Sequence, residues 1–172
     1  NRHVRIKTLE PDPNHKFVMM VVRPYVKQVD RFIVEPSSIV QYDLASKKIV
    51  NTIPWPNGEE RENANMQFSP DGKLMYLFSE QDVLIFDTST FKQIDKWELS
   101  RPQEEGFGAF EFGQTDSAND EPGYYTAMFQ VQDPVQKRRM MGIGRVNLAA
   151  KKVDFYTLGP AQQVGFTMAP GR

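Results

Sequence analysis

The stretch FSPDGKLMYLFSEQDVLIFDTSTFKQIDKWEL, Phe68 to Leu99, sets short apolar bursts between turn clusters, and its pattern returns elsewhere in the chain. Ser-Pro-Asp-Gly suits a tight turn: Pro presets φ, Asp binds nearby backbone, and Gly accepts a positive φ. KLMYLF and VLIF are short, rich in apolar and aromatic side chains, and bounded by turn residues. That pattern predicts strands rather than helix. Four strands fit the stretch and the three residues before it: NMQF, KLMYLF, VLIFD and KQIDKWEL. The two middle ones have no polar face, so both faces of their sheet need a cover.

Three corners recur. Asp43 in VQYDLASKKI, Asp87 in LIFDTSTFKQ and Asn147 in GRVNLAAKKV each follow an apolar residue and open a short turn, with Lys four or five residues on. They lie 44 and then 60 residues apart. The first turn recurs too. LEPDPNHKFVMMVV aligned on FSPDGKLMYLF places Pro11 with Pro70, Asp12 with Asp71 and Lys16 with Lys73. FEFGQTDSANDEPGYYTAMF reads as a third copy whose turn has grown into a long polar loop, and FTMAPGR as the opening of a fourth.

Four-stranded units repeating about every 40–50 residues are the mark of β-propeller blades. The predicted fold is all-β: three four-stranded antiparallel blades at about 4–55, 64–99 and 109–158, with 163–172 starting the next. A β-sandwich would match the strands but not their ordered recurrence. Closed propellers have four to eight blades. The chain therefore reads as about half of a ring, its open face covered by the remainder of the propeller or by a second copy of itself. Trp55 and Trp97 are expected in outer, fourth strands, partly buried.

Composition removes several functions. The 172 residues carry 21 Lys and Arg against 22 Asp and Glu, with no long run of one sign. Nothing resembles a nucleic-acid arm or an acidic tail. The absence of Cys excludes zinc ribbons, thiol catalysis and disulfide staples together. No apolar run approaches the roughly 18 residues of a membrane span. The chain opens on Asn1 with no signal-like segment, which reads as a trimmed end.

Motifs for chemistry are sparse. His3 and His15 have no metal-ligand spacing, so no metal residue is assigned. Gly-x-Ser-x-Gly is lacking, EPSS at 35–38 reads as a turn between strands, and GIG at 142–144 lies inside a predicted strand. Its glycines are expected to relieve crowding near the propeller axis. No catalytic residue is assigned. Binding candidates gather on the loops between strands and blades. Glu59 and Arg61 lie in PNGEERENAN, Glu104 and Phe107 in and after RPQEEG, Arg138 in QKRR, and Arg31 in VKQVDRF.

SPDGKLMYLF and the Asp corners resemble the YVTN-type propellers, which include lactonase-like and amine dehydrogenase-like members. VVRPYVKQVDRFIVEPSSIVQYDLASKK, with its Pro-containing excursion before the Tyr-Asp corner, is similar to the propeller subunit of quinohaemoprotein amine dehydrogenases. So is YYTAMFQVQDPVQKRRMMGIGRVNLAAKKVDFYTLGP, with its long loop between second and third strands. The resemblance implies a periplasmic or secreted, non-catalytic subunit of an oxidoreductase, carrying no cofactor itself and docking quinone- and haem-bearing subunits. The competing readings are a lactonase-like hydrolase using loop carboxylates, and a stand-alone secreted binding module.

Overall fold

The computed structural model describes residues 2–55, 65–78, 82–99, 110–118, 120–133, 135 and 137–160. Every regular element among them is a strand. The first sheet holds β1 (Arg2–Pro11), β2 (Phe17–Lys27), β3 (Phe32–Val34), β4 (Ser38–Asp43) and β5 (Lys48–Pro54). The second holds β6 (Asn65–Phe68), β7 (Leu74–Phe78), β8 (Asp82–Asp87) and β9 (Lys92–Glu98). The third holds β10 (Phe110–Ala118), β11 (Tyr124–Gln132), β12 (Arg139–Asn147) and β13 (Lys152–Pro160). The orders are β1-β2-β4-β5, β6-β7-β8-β9 and β10-β11-β12-β13, all antiparallel, with β3 a side branch on β2. Three successive four-stranded meanders are the architecture of consecutive propeller blades.

The two families of turn share one end of each sheet, as the repeat predicts. One hydrogen bond recurs to join them: Leu44 N–H to the Lys16 carbonyl, Thr88 N–H to that of Lys73, and Leu148 N–H to that of Gly123, each 3.0 Å. The same bonds correct the sequence alignment. Asp12 N–H bonds the Phe17 carbonyl as Ser69 N–H bonds that of Leu74. Asp12 therefore matches Ser69, Pro13 matches Pro70 and Asn14 matches Asp71, while Lys16 does match Lys73. The two turns are therefore equal in length, without the two extra residues between Pro and Lys that the pattern of identities suggested. His15 takes the left-handed place that Gly72 fills in the second sheet, at φ 54° against 73°.

The corners match as well. Four residues past Asp43, Asp87 and Asn147 the backbone is left-handed, at Lys47, Phe91 and Lys151, Phe91 being buried. The Lys one residue further on, Lys48, Lys92 or Lys152, pairs with the corner residue in all three sheets. The polar loop expected in the third copy is absent. β10 runs through it and pairs with β11 as far as Ala118, the extra residues being absorbed by an irregularity between Phe112 and Ser117.

Asp12 is buried and its Oδ1 accepts the N–H groups of Lys16 and Phe17, at 2.8 and 2.9 Å. Asp12→Ala leaves both donors without that acceptor. It is expected to cost about 1–3 kcal/mol, read as a lower urea midpoint at unchanged slope.

Apolar side chains of β7 and β8 are buried on both faces, because each face has a neighbouring sheet. Met19, Val21, Ile39 and Trp55 of the first sheet pack on Met75, Leu77, Leu84, Phe86 and Phe91 of the second. Tyr76, Phe78, Val83, Ile85 and Trp97 pack on Tyr125, Phe129, Val131 and Val146 of the third. Both tryptophans are 7% exposed, which overturns the expectation of partial burial. Trp97 does lie in a fourth strand, and Trp55 directly follows one. Their indoles turn into the layers between sheets rather than capping an outer edge.

Polar contacts fix the second sheet on the third. Gly123 N–H donates to the Phe68 carbonyl at 2.7 Å, and the Gln67 amide donates to the carbonyls of Asp120, Glu121 and Tyr124. Phe78 and Tyr125 stack with centroids 3.8 Å apart.

Candidate functional site

The first sheet differs from the other two in carrying an outgrowth, and Pro24 explains its form. The Pro24 carbonyl accepts Glu35 N–H at 2.9 Å, but proline has no N–H to return. The ladder on that side of β2 breaks there. The chain leaves it through Glu35, Pro36 and Ser37, so β3 and β4 pair with different halves of β2. The far half of β2, with β1 and β3, forms a small three-stranded surface of its own.

On one face of this surface His3 lies opposite Tyr25, Arg5 opposite Arg23, Val34 opposite Tyr25 and Phe32 opposite Lys27. His3 and Tyr25 stack at 5.2 Å, and Phe32 meets the Tyr25 ring edge-on at 5.6 Å. His3 is thus a strand residue. Val4, Arg5, Arg23, Tyr25, Phe32 and Val34 line an open groove of about 430 Å³. Phe32, Ile33 and Val34 are all exposed, Phe32 at 58%. The arrangement offers aromatic and aliphatic surface with two guanidinium groups, which suits binding rather than bond-breaking chemistry.

Of the residues singled out from sequence, Arg31 lies at the tip joining β2 to β3, exposed, with its Nε 3.4 Å from Gln28 Oε1. Arg138 is exposed in the connection from β11 to β12, where its carbonyl accepts Asp133 N–H at 2.9 Å. Both occupy the end of their sheets opposite the Asp corners. They belong to the first and third sheets, with the second between them, so they do not form one site. Glu59, Arg61, Glu104 and Phe107 lie outside the described residues.

Sequence reasoning passed over Arg5, Arg23, Tyr25 and Phe32. A signal was available: His3 and Arg5, and Arg23, Tyr25 and Lys27, alternate at period two, the spacing of one face of a strand.

The glycines of GIG do serve close packing, in β12, the third strand of its sheet. The Phe129 ring lies over Gly144, and the Tyr156 carbonyl approaches Gly142.

Among the described residues the most strongly displaced carboxyl lies in the third sheet, at the end that bears the Asp corners. Arg145 donates from Nε to Asp120 Oδ2 at 3.0 Å and from a terminal nitrogen to Asp120 Oδ1 at 3.1 Å. It also reaches Glu121 Oε1 at 3.3 Å and lies 3.9 Å from the centre of the Tyr124 ring. The Arg145 guanidinium, and then the Thr126 hydroxyl and Glu121 N–H, hold the Asp120 carboxyl well below the usual carboxylate range. This is a brace for the turn into β11. A depressed folded-state pKa stabilises above the unfolded value, about 3.9, and that contribution is lost as pH falls through the folded value. Arg145→Gln removes the largest cause. Its acid-unfolding midpoint is expected to rise above that of the parent, measured by circular dichroism between pH 2 and 6. Equal midpoints would show that the brace carries no linkage.

Other turn carboxylates are lowered by local bonds, Asp71 first by the Ser69 hydroxyl and Asp87 first by that of Ser89. Among the described residues no three His, Asp or Glu gather to hold a metal ion, and no helix is long and apolar enough to cross a membrane.

No family model and no curated protein matches the sequence. Solved structures do match. A eukaryotic initiation factor is 15% identical, over 87% of this chain and 34% of its own, at a TM-score of 0.41. The complex of the fission yeast SREBP and SCAP binding domains is 10% identical, over 88% and 35%, at 0.37. The WD40 domain of SCAP from fission yeast is 11% identical, over 91% and 34%, at 0.36. The chain spans about a third of the length of these structures.

Proposed function

We propose that this chain is an interaction scaffold, a run of propeller blades that docks a partner protein at the end bearing β3. The observation that carries the reading is the open groove in which Tyr25, Phe32 and Val34 lie beside Arg5 and Arg23. Aromatic rings and arginines side by side on an open surface are the composition of protein-binding surfaces. In its finer form the chain belongs to a periplasmic, non-catalytic propeller subunit of an amine dehydrogenase-like complex. It then docks quinone- and haem-bearing subunits and carries no cofactor. The support for that form is the resemblance of the first-blade excursion and of the third blade.

A second surface supports a larger assembly. The face of the first sheet turned away from the second carries Val4, Ile6, Leu9 and Ile49, each more than half exposed. Another sheet, from the remainder of the propeller or from a second copy of the chain, would cover them.

Purification of the tagged protein from its native cells tests the role. Co-purifying subunits that stain for covalent haem and for redox-cycling quinone support the finer form. A stable partner without either supports the scaffold alone. A monodisperse species of 19.8 kDa with no partner would overturn both.

A further inference from the structure

We infer that the groove beside β3 takes an acidic, extended segment of the partner, laid along β3 as an added strand. This rests on the docking role proposed above and names the chemistry of what is docked.

Charge is the first argument. The six lining residues include two arginines and no carboxylate. Arg5 lies opposite Arg23 in the β1–β2 ladder and is exposed on the groove face. His3 and Lys27 extend the same face at either side of Tyr25. A carboxylate lying over Arg5 is attracted to its guanidinium, whereas a cationic segment is repelled by it.

Backbone phase is the second argument. Gln28 N–H bonds the Arg31 carbonyl, and Glu35 N–H bonds that of Pro24. The alternation of an antiparallel ladder then points the backbone groups of Arg31, Ile33 and Glu35 at β2 and those of Phe32 and Val34 away from it. Among the described residues β3 pairs with β2 alone. An edge of this kind is a template for an extended chain. Phe32 and Val34, whose backbone groups face outward, are also the β3 residues that line the groove. A segment hydrogen-bonded to that edge would bring alternate side chains to the groove, apolar ones against Phe32 and Tyr25 and acidic ones toward Arg5.

The test uses the whole chain and two fluorescein-labelled peptides, Asp-Asp-Leu-Ile-Val-Asp-Glu and its counterpart with Lys at every acidic position, followed by anisotropy. The acidic peptide is expected to bind at least tenfold more tightly, and to weaken as salt rises from 50 to 500 mM. Arg5→Glu and, separately, Phe32→Ser are each expected to weaken it at least tenfold. Both side chains are exposed, and unchanged thermal melting confirms that the fold is kept. Equal binding of both peptides, no binding, or no effect of either substitution overturns the inference. So does binding that requires Glu59, Glu60 and Glu62 to be changed to Gln, since the occupant would then be the chain itself. Native purification separates this idea from the docking role. A partner retained by the Arg5→Glu protein removes the groove inference and leaves the scaffold standing, whereas a parent protein without any partner removes the scaffold.

Discussion

Phe129→Ala is expected to destabilise the protein by about 3–5 kcal/mol, the range for emptying a fully buried aromatic site. Phe129 is 0% exposed, in the layer joining the second and third sheets. Its ring meets Phe155 edge-on at 6.3 Å and lies over Gly144 of the adjacent strand. That last contact makes a sharper expectation. A Cβ on residue 144 would fall within the volume of the ring, so Gly144→Ala alone must push Phe129 out of place. With Phe129→Ala already made, the same methyl enters an empty space. The two substitutions should therefore be strongly non-additive, Gly144→Ala costing much less in the second background, as residues in contact couple. A double-mutant cycle by urea unfolding measures this. Additivity within about 0.5 kcal/mol would mean that the ring does not cover Gly144.

Gly142→Ala is expected to cost about 3 kcal/mol, at the upper end for overpacking. The obstacle here is backbone: an added Cβ meets the Tyr156 carbonyl, with its carbon and the Thr157 Cα close behind. A side chain can rotate away, but a paired strand can only shift as a whole. Gly142 pairs with Thr157 and Ile143 with Tyr156, next to the register shift between Met141 and Gly142. The shift should therefore show as faster amide exchange along β13, in Phe155 to Thr157, while β7 and β8 keep their protection. Uniform loss of protection over all three sheets would mean global destabilisation, and a cost under about 1 kcal/mol would refute the close approach.

Strand, turn and repeat were legible in the chain because they rest on short-range chemistry. KLMYLF and VLIFD announce covered strands by having no polar face, and Asp43, Asp87 and Asn147 announce corners by what their own side chains can bond. In each case the cause lies within about five residues of the effect. Alignment of the first turn was misread for a related reason. Pro and Asp identities drew Pro11 onto Pro70, but the structure matches residues by which carbonyl each N–H meets, and that depends on the strands closing the turn. Ser69 and Asp12 do one task with different atoms, a hydroxyl in one turn and a carboxylate in the other.

Burial and the site were decided at longer range. A tryptophan in a fourth strand is an edge residue in one sheet alone; Trp97 is buried because the third sheet lies against the second. The groove depends on the same kind of closure. His3 and Arg5 are far along the chain from Arg23, Tyr25 and Phe32, and only the β1–β2 and β2–β3 registers place them on one face. The sequence by itself determined the strands, their corners and the break at Pro24, because each is a local preference of φ, of alternation or of a missing N–H. Tertiary structure alone decided which faces lost water and which side chains met, because those depend on the register and stacking of sheets whose partners are distant in sequence.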